Sequence, residues 1–361
     1  MKLTPLAFAD LPGWSDAEAE GAWPVFRKSA DAVMNALPEL RRGLSASPQL
    51  REIMAQALQQ PAAGSARAFF ESRFKPHLVS PKDEAGGEGF LTGYYEPEVD
   101  GSLEQTPAFS TPMLARPDDL IDLRGADAPP GWNPRIEGAR RRADGGLEPY
   151  PTRAEIEAGA IAAHTRPICW LRDPVELFFI QVQGSARVRL PDGQGLRIVY
   201  DGRNGRPYSS IGKALIADGA MSVTEMSLAR LKQWLRDNGL KPGERARAVM
   251  QRNESYIFFR IDPALGAASG PIGAQGVPLT PLRSLAVDRN LWPYGAPVWI
   301  EADIPHASLS ARKGRLWIAQ DTGSAIIGPA RGDLFIGTGD KAGAAAGNIR
   351  HSARFVIFLP I

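Results

Sequence analysis

Apolar and polar positions in three segments alternate with the period of a helix. In "AWPVFRKSADAVMNAL" the apolar residues recur three and four positions apart, and upstream of it Ser15 stands three residues before Glu18, the spacing of a capping box. Thr152 and Glu155 have the same spacing. The segment "SVTEMSLARLKQWLRDNG" predicts an amphipathic helix that Gly239 can end. We therefore expect a mainly helical start and further helices in the middle of the chain.

Other segments have the short apolar runs and turn residues of β-strands. "GFLTGYYEPEVDGS" predicts a strand that points Tyr94 and Tyr95 to opposite faces and then enters a turn. "DPVELFFIQVQGSARVRLPDGQGLRIVYDG" predicts a β-hairpin around "PDGQG", with Gln181 and Gln183 on one face of its first strand. Six runs follow residue 255: "YIFFRI", "TPLRSLAVD", "APVWIEADI", "RLWIAQD", "GDLFIG" and "RFVIFLP". They predict a closed or nearly closed barrel.

The order of these elements predicts a mainly β protein with N-terminal helices, a mixed middle and a β-barrel end. Before Thr152 lies a stretch rich in Pro, Gly and Arg that contains Arg140, Arg141 and Arg142. We expect an exposed loop in which the three arginines are solvated. The alternative is a rim that attracts anions.

Composition and charge narrow the class of protein. A chain of 361 residues can form one large or two medium domains. Its 42 Lys and Arg against 40 Asp and Glu leave a net charge of +2. This argues against a strong positive electrostatic field that would attract nucleic acid or an anionic membrane. The 37 Gly and 31 Pro favour a loop-rich fold with β-structure over a helical bundle.

Cysteine and histidine usage argues against metal and disulfide chemistry. Cys169 is the only cysteine, so no internal disulfide can form, and its apolar neighbours predict an inert buried thiol. The four histidines are scattered without metal-ligand spacing: His77, His164, His306 and His351. We expect no metal site and no cofactor.

The start of the chain bears on its location. "MKLTPLAFADLPGW" has too short an apolar stretch for a signal peptide, and no lipidation cysteine stands near it. No segment is long and apolar enough to span a bilayer. We expect either a cytoplasmic protein or a mature form with a starter Met.

Three aspartates carry the candidate chemistry. Asp288, Asp321 and Asp333 each stand at the start or end of a predicted barrel strand, where strands distant in sequence can converge. Glycines beside Asp321 and Asp333 leave room for a bulky ligand, although aspartates also commonly cap turns. Carboxylates without metal or nucleophile partners suit proton transfer to sugar oxygens. Candidate aromatic platforms for sugar rings are Tyr94, Tyr95, Trp132, Tyr208, Trp292 and Tyr294.

Seven long motifs, in order, make the indication specific. They are "TGYYEPEVDGS" (92–102), "YPTRAEIEAGAI" (150–161), "DPVELFFIQVQGSARVRLPDG" (173–193), "YDGRNGRPYSSIGKALI" (200–216), "NESYIFFR" (253–260), "GVPLTPLRSLAVDRNLWPYGAPVWIEA" (276–302) and "AQDTGSAIIGPARGDLFIGTGDKAGAAAG" (319–347). Together they closely resemble the lytic murein transglycosylases of the A type, the MltA family.

The resemblance implies two domains with a groove between them for a glycan strand. Residues 1–105 and 250–361 would form a double-psi β-barrel, and residues 106–249 an inserted second β domain. The C-terminal motifs also resemble the three-Asp (3D) domain, whose aspartates match Asp288, Asp321 and Asp333.

The implied reaction is cleavage of the β-1,4 bond between N-acetylmuramic acid and N-acetylglucosamine in peptidoglycan. The muramoyl 6-hydroxyl attacks its own anomeric carbon and leaves a 1,6-anhydro end. One carboxyl can serve first as acid and then as base. Since the nucleophile is tethered to the sugar, no positioned water and no second catalytic carboxylate are needed.

The resemblance assigns roles to particular residues. Asp333, the aspartate of "RGDLF", matches the catalytic position, and Asp321 would be its catalytic neighbour, orienting it or accepting a sugar hydroxyl. Asp288 would be a structural partner of the site. The remaining aspartate of the motif, Asp340, is expected to be a turn residue. The predicted substrate-binding residues are Tyr94, Tyr95, Gln181, Gln183, Gly184, Ser185, Tyr208, Asp288, Thr322 and Gly323.

Three departures from the family pattern are visible. Ser324 replaces a more usual glycine, and Trp292 and Tyr294 stand where smaller apolar residues are usual, which would alter sugar contacts. The lipoprotein signal of the best-known members is absent.

The resemblance also implies location and partners. We expect a periplasmic protein, and the missing lipoprotein signal leaves its association with the outer membrane open. Its partners would be glycan strands and other cell-wall enzymes, with no nucleic acid. Two alternatives are a wall-binding protein that does not cut glycan and a glycosidase that adds water. The second would need another carboxylate, for which Asp321 is the candidate.

Overall fold

The computed structural model describes residues 1–60, 66–81, 88–123, 128–263, 269–304 and 314–361, so His306 lies outside the described residues. The chain divides into two compact units. The first contains Met1–Tyr95 and Ser269–Ile361, and the second contains Glu96–Ala268. Residues 250–263, which the family resemblance assigns to the barrel domain, therefore lie in the second unit.

The described strands are, in chain order, β1 (Lys2–Pro5), β2 (Phe74–Ser80), β3 (Gly89–Glu96), β4 (Glu98–Ser102), β5 (Thr111–Leu114), β6 (Ile121–Asp122), β7 (Gly138–Arg141), β8 (Leu147–Pro149), β9 (Pro167–Leu171), β10 (Ala186–Arg189), β11 (Gly195–Arg203), β12 (Ile257–Ile261), β13 (Ser284–Val287), β14 (Pro297–Glu301), β15 (Arg315–Asp321), β16 (Arg331–Thr338) and β17 (Arg350–Pro360).

The described helices are α1 (Asp16–Met34), α2 (Pro48–Gln59), α3 (Ala66–Arg73), α4 (Arg153–Glu157), α5 (Pro174–Gln183), α6 (Ile211–Ala217), α7 (Leu228–Asp237), α8 (Arg245–Gln251) and α9 (Gly339–Gly347). None of the helices within the described residues is long and apolar enough to cross a bilayer.

Six strands of the first unit close into a ring. The hydrogen-bonded order runs from β17 through β14, β15, β13, β16 and β3, and β3 pairs again with β17. β13 and β15 are parallel, whereas β14 is antiparallel to both β15 and β17. β2 and β1 extend the sheet from β17. The mainly β fold class is confirmed, and the six-stranded ring fits the barrel that the resemblance implied.

Helices α1, α2 and α3 cover one side of this barrel. The buried aromatic side chains of α1 and α3 and the buried aliphatic side chains of α2 join Trp299 of β14 and Phe358 of β17 in one apolar cluster. Phe70 lies at its centre, with ring centroids 5.4 Å from Phe26 and 6.0 Å from Phe74. Burial of such large rings supplies much of the unit's hydrophobic stabilisation.

The predicted helix signals are present at the expected residues. Ser15 accepts a hydrogen bond from the backbone N–H of Glu18 at the start of α1. Thr152 and Glu155 form a complete capping box before α4. Gly239, whose φ is +85°, follows α7, a conformation that glycine adopts without strain.

The second unit contains two sheets. One has the order β12, β11, β10, β4, β9 and β5, and the other consists of β6, β7 and β8. The prediction that "YIFFRI" belongs to the barrel is wrong, because β12 pairs antiparallel with β11. Alternating apolar positions identify a strand but not the sheet that it joins.

The predicted hairpin is correct only in its second half. β10 and β11 pair antiparallel around "PDGQG", but the residues before them form α5. Asp173 caps that helix, Pro174 occupies its first turn, and Gly184 ends it with a φ of +86°. "ELFFIQVQ" is apolar enough for either a buried strand or a buried helix. The helix start and stop residues on either side of it therefore decide in favour of the helix.

The arginine-rich stretch is not an open loop in its described part. β7 and β8 pair antiparallel across a turn, and Arg140 forms an ion pair with Glu148 at 2.6 Å. Arg141 and Arg142 are exposed, as expected. The first residues of the stretch, up to residue 127, lie outside the described residues.

Candidate active site

Strand pairing brings Asp321 and Asp333 to the two sides of one residue. In β13, Ala286 pairs in register with Asp333 of the antiparallel β16 and with Asp321 of the parallel β15. The two carboxylates therefore lie on strands that flank the same strand, although a loop separates them in sequence.

Asp333 has one engaged and one open carboxylate oxygen. Its Oδ1 accepts a hydrogen bond from the Thr92 hydroxyl at 2.5 Å, and that hydroxyl accepts one from Arg331 Nη2 at 2.7 Å. Among the described residues, none donates to its Oδ2. The residue is half-buried, and this oxygen has no donor of its own in the described part of the chain.

The surroundings of Asp333 tune its proton affinity. Burial raises the pKa of Asp333 to about 6, the charge of Arg331 and the Thr92 hydrogen bond oppose the rise, and the charge of Asp321 adds to it. A carboxyl with such a pKa exchanges its proton near neutral pH. It can therefore act as both acid and base.

Asp321 differs from Asp333 because both of its oxygens are occupied. Oδ1 accepts hydrogen bonds from the backbone N–H groups of Ala274 and Thr322, each at 2.8 Å, and Oδ2 accepts one from the Tyr94 hydroxyl at 2.8 Å. Burial raises the pKa of Asp321, and these three hydrogen bonds oppose the rise. This carboxylate is held in place as a fixed neighbour of Asp333.

The two adjacent tyrosines are buried, which argues against the predicted groove-lining role, and their contact with substrate stays a prediction. Tyr94 is buried, packs its ring against Phe335 at 5.3 Å and donates to Asp321. Burial, reinforced by Asp321, raises the pKa of Tyr94 well above its usual value, so it remains a donor. Tyr95 is buried on the opposite face, where its ring packs directly against Gly343. Any larger residue at position 343 would clash with this ring, because its Cβ would lie 2.7 Å away.

Asp288 is a structural residue of the site. Its carboxylate accepts hydrogen bonds from the backbone N–H groups of Asn290 at 3.0 Å and Gly328 at 2.8 Å. Asp288 therefore links the end of β13 to the loop that leads into β16. Its side chain is buried, which does not support the predicted contact with substrate.

The unusual aromatic residues after β13 are core residues rather than sugar contacts. Trp292 is buried and donates through Nε1 to the Pro329 carbonyl at 2.7 Å. Tyr294 is also buried and donates to the Arg41 carbonyl at 2.8 Å. The expectation that these two rings alter sugar contacts is wrong.

Gln320 of β15 belongs to a buried network of polar side chains. Gln320 donates to Ser29 at 2.8 Å and accepts from Ser284 at 2.5 Å, while Ser29 donates to Gln275 at 2.8 Å. These side chains satisfy one another in a buried environment. The network fixes the backbone immediately before Asp321.

Three smaller residues follow Asp321 in the chain. Thr322 is half-buried and donates from its hydroxyl to the Val287 carbonyl at 2.8 Å. Gly323 and Ser324 follow it and are also half-buried. Asp340, predicted to be a turn residue, is exposed in the first turn of α9, where its charge suits the helix dipole.

The other predicted substrate-binding residues belong to the second unit. Gln181 is a buried helix residue that donates to the Ile257 carbonyl at 3.1 Å, so its predicted place on an exposed strand face is wrong. Gln183 ends the same helix and is half-buried, Gly184 caps it, and Ser185 is buried. Tyr208 is half-buried, and burial raises its pKa. A role for the last four in substrate binding stays a prediction.

Two residues that contact the site directly, Thr92 and Arg331, are absent from the sequence-based prediction. Thr92 and Tyr94 lie two positions apart on β3, and Arg331 and Asp333 lie two positions apart on β16. Because alternate residues of a strand share a face, each of the two could have been inferred from its neighbour.

The cysteine and histidine predictions have separate outcomes. Cys169 is buried, as predicted, and burial raises its pKa to about 12, which favours the protonated thiol. Among the described residues, Asp118, Asp119 and His164 hold potential metal-ligand atoms within 4.8 Å of one another. The contacts of His164 with Asp118 at 2.9 Å and with Asp119 at 3.7 Å account for this cluster as imidazole–carboxylate pairs.

Comparison with protein families supports the fold and the motifs. The model of the MltA specific insert domain matches residues 90–260, and the model of the 3D domain matches residues 283–359. The second match contains Asp288, Asp321 and Asp333.

Individual relatives agree. A membrane-bound lytic murein transglycosylase A of Escherichia coli K12 is 32% identical over 301 residues, which is 81% of this chain and 71% of that protein. One from Vibrio cholerae is 34% identical over 209 residues, 56% of this chain, and the match spans only 54% of that relative's length.

A solved structure matches along the whole chain. The crystal structure of a membrane-bound lytic murein transglycosylase from Agrobacterium tumefaciens has a TM-score of 0.87 and 34% identity, with 100% of this chain and 98% of that chain covered. On the strength of these matches, the chain belongs to the MltA family of lytic murein transglycosylases.

Proposed function

We propose that this protein is a lytic transglycosylase of peptidoglycan. It cleaves the β-1,4 bond between N-acetylmuramic acid and N-acetylglucosamine and forms a 1,6-anhydromuramoyl end. The observation that carries this proposal is Asp333, a half-buried carboxyl with a pKa of about 6, one anchored oxygen and one open oxygen.

In the first step, protonated Asp333 gives its proton to the bridging oxygen as the bond to the anomeric carbon breaks. In the second, the resulting carboxylate takes the proton of the muramoyl 6-hydroxyl, whose oxygen closes on the anomeric carbon. Thr92 stabilises the carboxylate form between the steps through its hydrogen bond. Each step leaves Asp333 ready for the next.

Asp321 supports this single-acid reaction rather than a hydrolytic one. A hydrolase with two carboxylates would need the second to activate water or to attack the sugar. Three hydrogen bonds already engage both oxygens of Asp321. Its contribution is the negative charge that helps to keep Asp333 protonated.

The substrate class also defines where the protein acts. Peptidoglycan lies outside the cytoplasmic membrane, so we propose a periplasmic location with outer-membrane association. The relatives named above are described as membrane-bound. Other cell-wall enzymes acting on the same glycan are the proposed partners.

Digestion of purified sacculi tests the function. We expect muropeptides with anhydro ends, each one water lighter than its hydrolysed counterpart by mass spectrometry. Products that all carry the added water would assign a hydrolase. Glycan that is bound but never cut would assign a binding protein.

A further inference from the structure

The second unit contains a cavity of about 450 Å³ that the reaction above does not use. This volume lies within the range of small-molecule sites. Helices α4, α5 and α8 and strands β5 and β9 all contribute to its lining. Much of the lining is apolar and includes Pro112, Leu114, Ile156, Ile161, Pro167 and Leu177.

One guanidinium on the cavity lining has unused donors. The Arg247 side chain is only 16% exposed, and its Nε lies 2.8 Å from Glu157 Oε2 in an ion pair that lacks hydrogen-bond geometry. Among the described residues, none accepts a hydrogen bond from either of its Nη groups. A mostly buried guanidinium with two free parallel donors matches the two oxygens of a carboxylate.

The other charges of the cavity leave Arg247 as the available cation. Arg153 is buried and already donates to the carbonyls of Asn253 at 3.0 Å and Ser255 at 2.6 Å. Glu157 is the carboxylate on the lining and serves both arginines, at 3.6 Å from Arg153. Two arginines against one glutamate leave one positive charge, which favours a monoanion over a dianion.

We propose that this cavity binds a small monocarboxylate with a compact aliphatic body, whose two oxygens accept hydrogen bonds from the Nη groups of Arg247. The apolar lining accommodates the hydrocarbon part and disfavours a bare inorganic anion. The ligand is either a free acid or a carboxylate on the peptide of a wall fragment. Both present the same chemistry to Arg247.

Calorimetric titration with N-acetyl-D-alanine and its uncharged amide tests the recognition. We expect the acid to bind and the amide to bind at least about tenfold more weakly, because the amide cannot accept the two charge-assisted hydrogen bonds from the Arg247 guanidinium. Arg247→Gln should weaken the acid by a similar factor. Arg245→Gln is the matched control, since Arg245 is exposed on the same helix and stacks on Trp234.

A second variant should move affinity in the opposite direction. Glu157→Gln keeps the shape of the side chain and removes the carboxylate that competes for Arg247, so the acid should bind more tightly. If Arg247→Gln does not fold, Arg247→Lys is the alternative. It keeps the positive charge but lacks the two parallel donors of the guanidinium, so it should still weaken binding of the acid. Equal binding of acid and amide, or no binding of the acid at about 10 mM, would overturn the proposal.

Competition distinguishes the two ligand sources. Displacement of the acid by peptide-bearing muropeptides, but not by neutral chitooligosaccharides, assigns the site to wall fragments. Displacement by neither assigns it to a free acid. Equal displacement by the neutral sugar would contradict carboxylate recognition. Asp333→Asn should bind the acid normally, so failure of this site and failure of the proposed reaction can be told apart.

Discussion

Thr92 donates a hydrogen bond to Asp333 across two neighbouring strands, at 2.5 Å. The same hydroxyl oxygen accepts from Arg331, so a chain of donors leads from a cation to one oxygen of the proposed acid. Each link favours the charged carboxylate, whereas burial favours the neutral acid. The balance of these effects determines the pH range in which the proposed first step proceeds.

The wild-type protein should lose activity on the alkaline side of pH 6. The pKa of Asp333 is about 6, and the proposed first step needs the protonated form. Above that pH, kcat/KM should fall by about tenfold per pH unit. Initial rates of anhydro-muropeptide release between pH 4 and pH 8.5 measure this limb. A profile flat through pH 8 would exclude Asp333 as an acid with this pKa.

Replacing Arg331 should move the alkaline limb of the pH profile, where kcat/KM falls, to higher pH. Arg331 lowers the pKa of Asp333 by its charge, so Arg331→Gln removes a stabilising influence on the carboxylate and leaves more acid at a given pH. The pH dependence of kcat/KM for this variant, compared with the exposed control Arg51→Gln, tests the effect. An unmoved limb would mean that Arg331 only holds Thr92.

Replacing Thr92 should act in the same direction and also lower kcat. Thr92→Val removes the hydroxyl that stabilises the carboxylate and orients it, at nearly constant volume. Losing one oriented hydrogen bond to a charged group should cost about 1.5–3 kcal/mol in the step that forms the carboxylate, roughly 10- to 100-fold in kcat. Thr92→Ser, which keeps the hydroxyl, should restore most of the rate. Equal rates in the two variants would contradict the positioning role.

The barrel residues show how much of the site the sequence can predict. The motif around Asp333 and the strand character of β13, β15 and β16 follow from the sequence, because short apolar runs between glycines specify strands. The register that places Ala286 between Asp321 and Asp333 does not, since it depends on pairings between residues far apart in the chain. Accordingly, the sequence identifies the aspartates but not their partners.

Errors in the second unit have a related cause. The sequence pattern predicts Gln181 on a strand face, but capping by Asp173 and Gly184 makes this segment a helix that buries the side chain. "YIFFRI" is a strand as predicted, yet its pairing with β11 does not follow from its pattern. Local patterns specify the type of an element better than its neighbours, because pairing is decided by tertiary packing.

The two catalytic candidates should separate sharply on substitution. Asp333→Asn removes the transferable proton and should reduce kcat by about a thousandfold or more. Asp321→Asn keeps a side chain of the same shape and removes a charge that raises the pKa of Asp333, so its alkaline limb should move to lower pH. Its kcat near pH 5 should stay within about tenfold of wild type. The reverse ranking of the two variants would show that Asp333 is not the acid.

Asp333→Asn should also change stability with pH. The folded-state pKa of Asp333 is raised above the usual value of 3.8, so ionising this group opposes folding above pH 6. The opposition disappears as the pH falls toward 3.8. The variant should therefore have a higher Tm than wild type at pH 7.5, and the difference should vanish near pH 4. An equal Tm at pH 7.5 would mean that the carboxylate is not destabilised by its surroundings.

The aromatic cluster under α1, α2 and α3 should be needed for stability. Phe70 is fully buried among Phe26, Phe74 and Trp14, so Phe70→Ala removes a ring and leaves a cavity that these side chains cannot fill. A loss of about 3–5 kcal/mol in the free energy of unfolding is expected. Leu37→Ala is the control, because Leu37 is 44% exposed and its loss should change stability by about 0.5 kcal/mol or less. Urea denaturation of both variants measures the difference, and similar losses in the two would show that the cluster is not tightly packed.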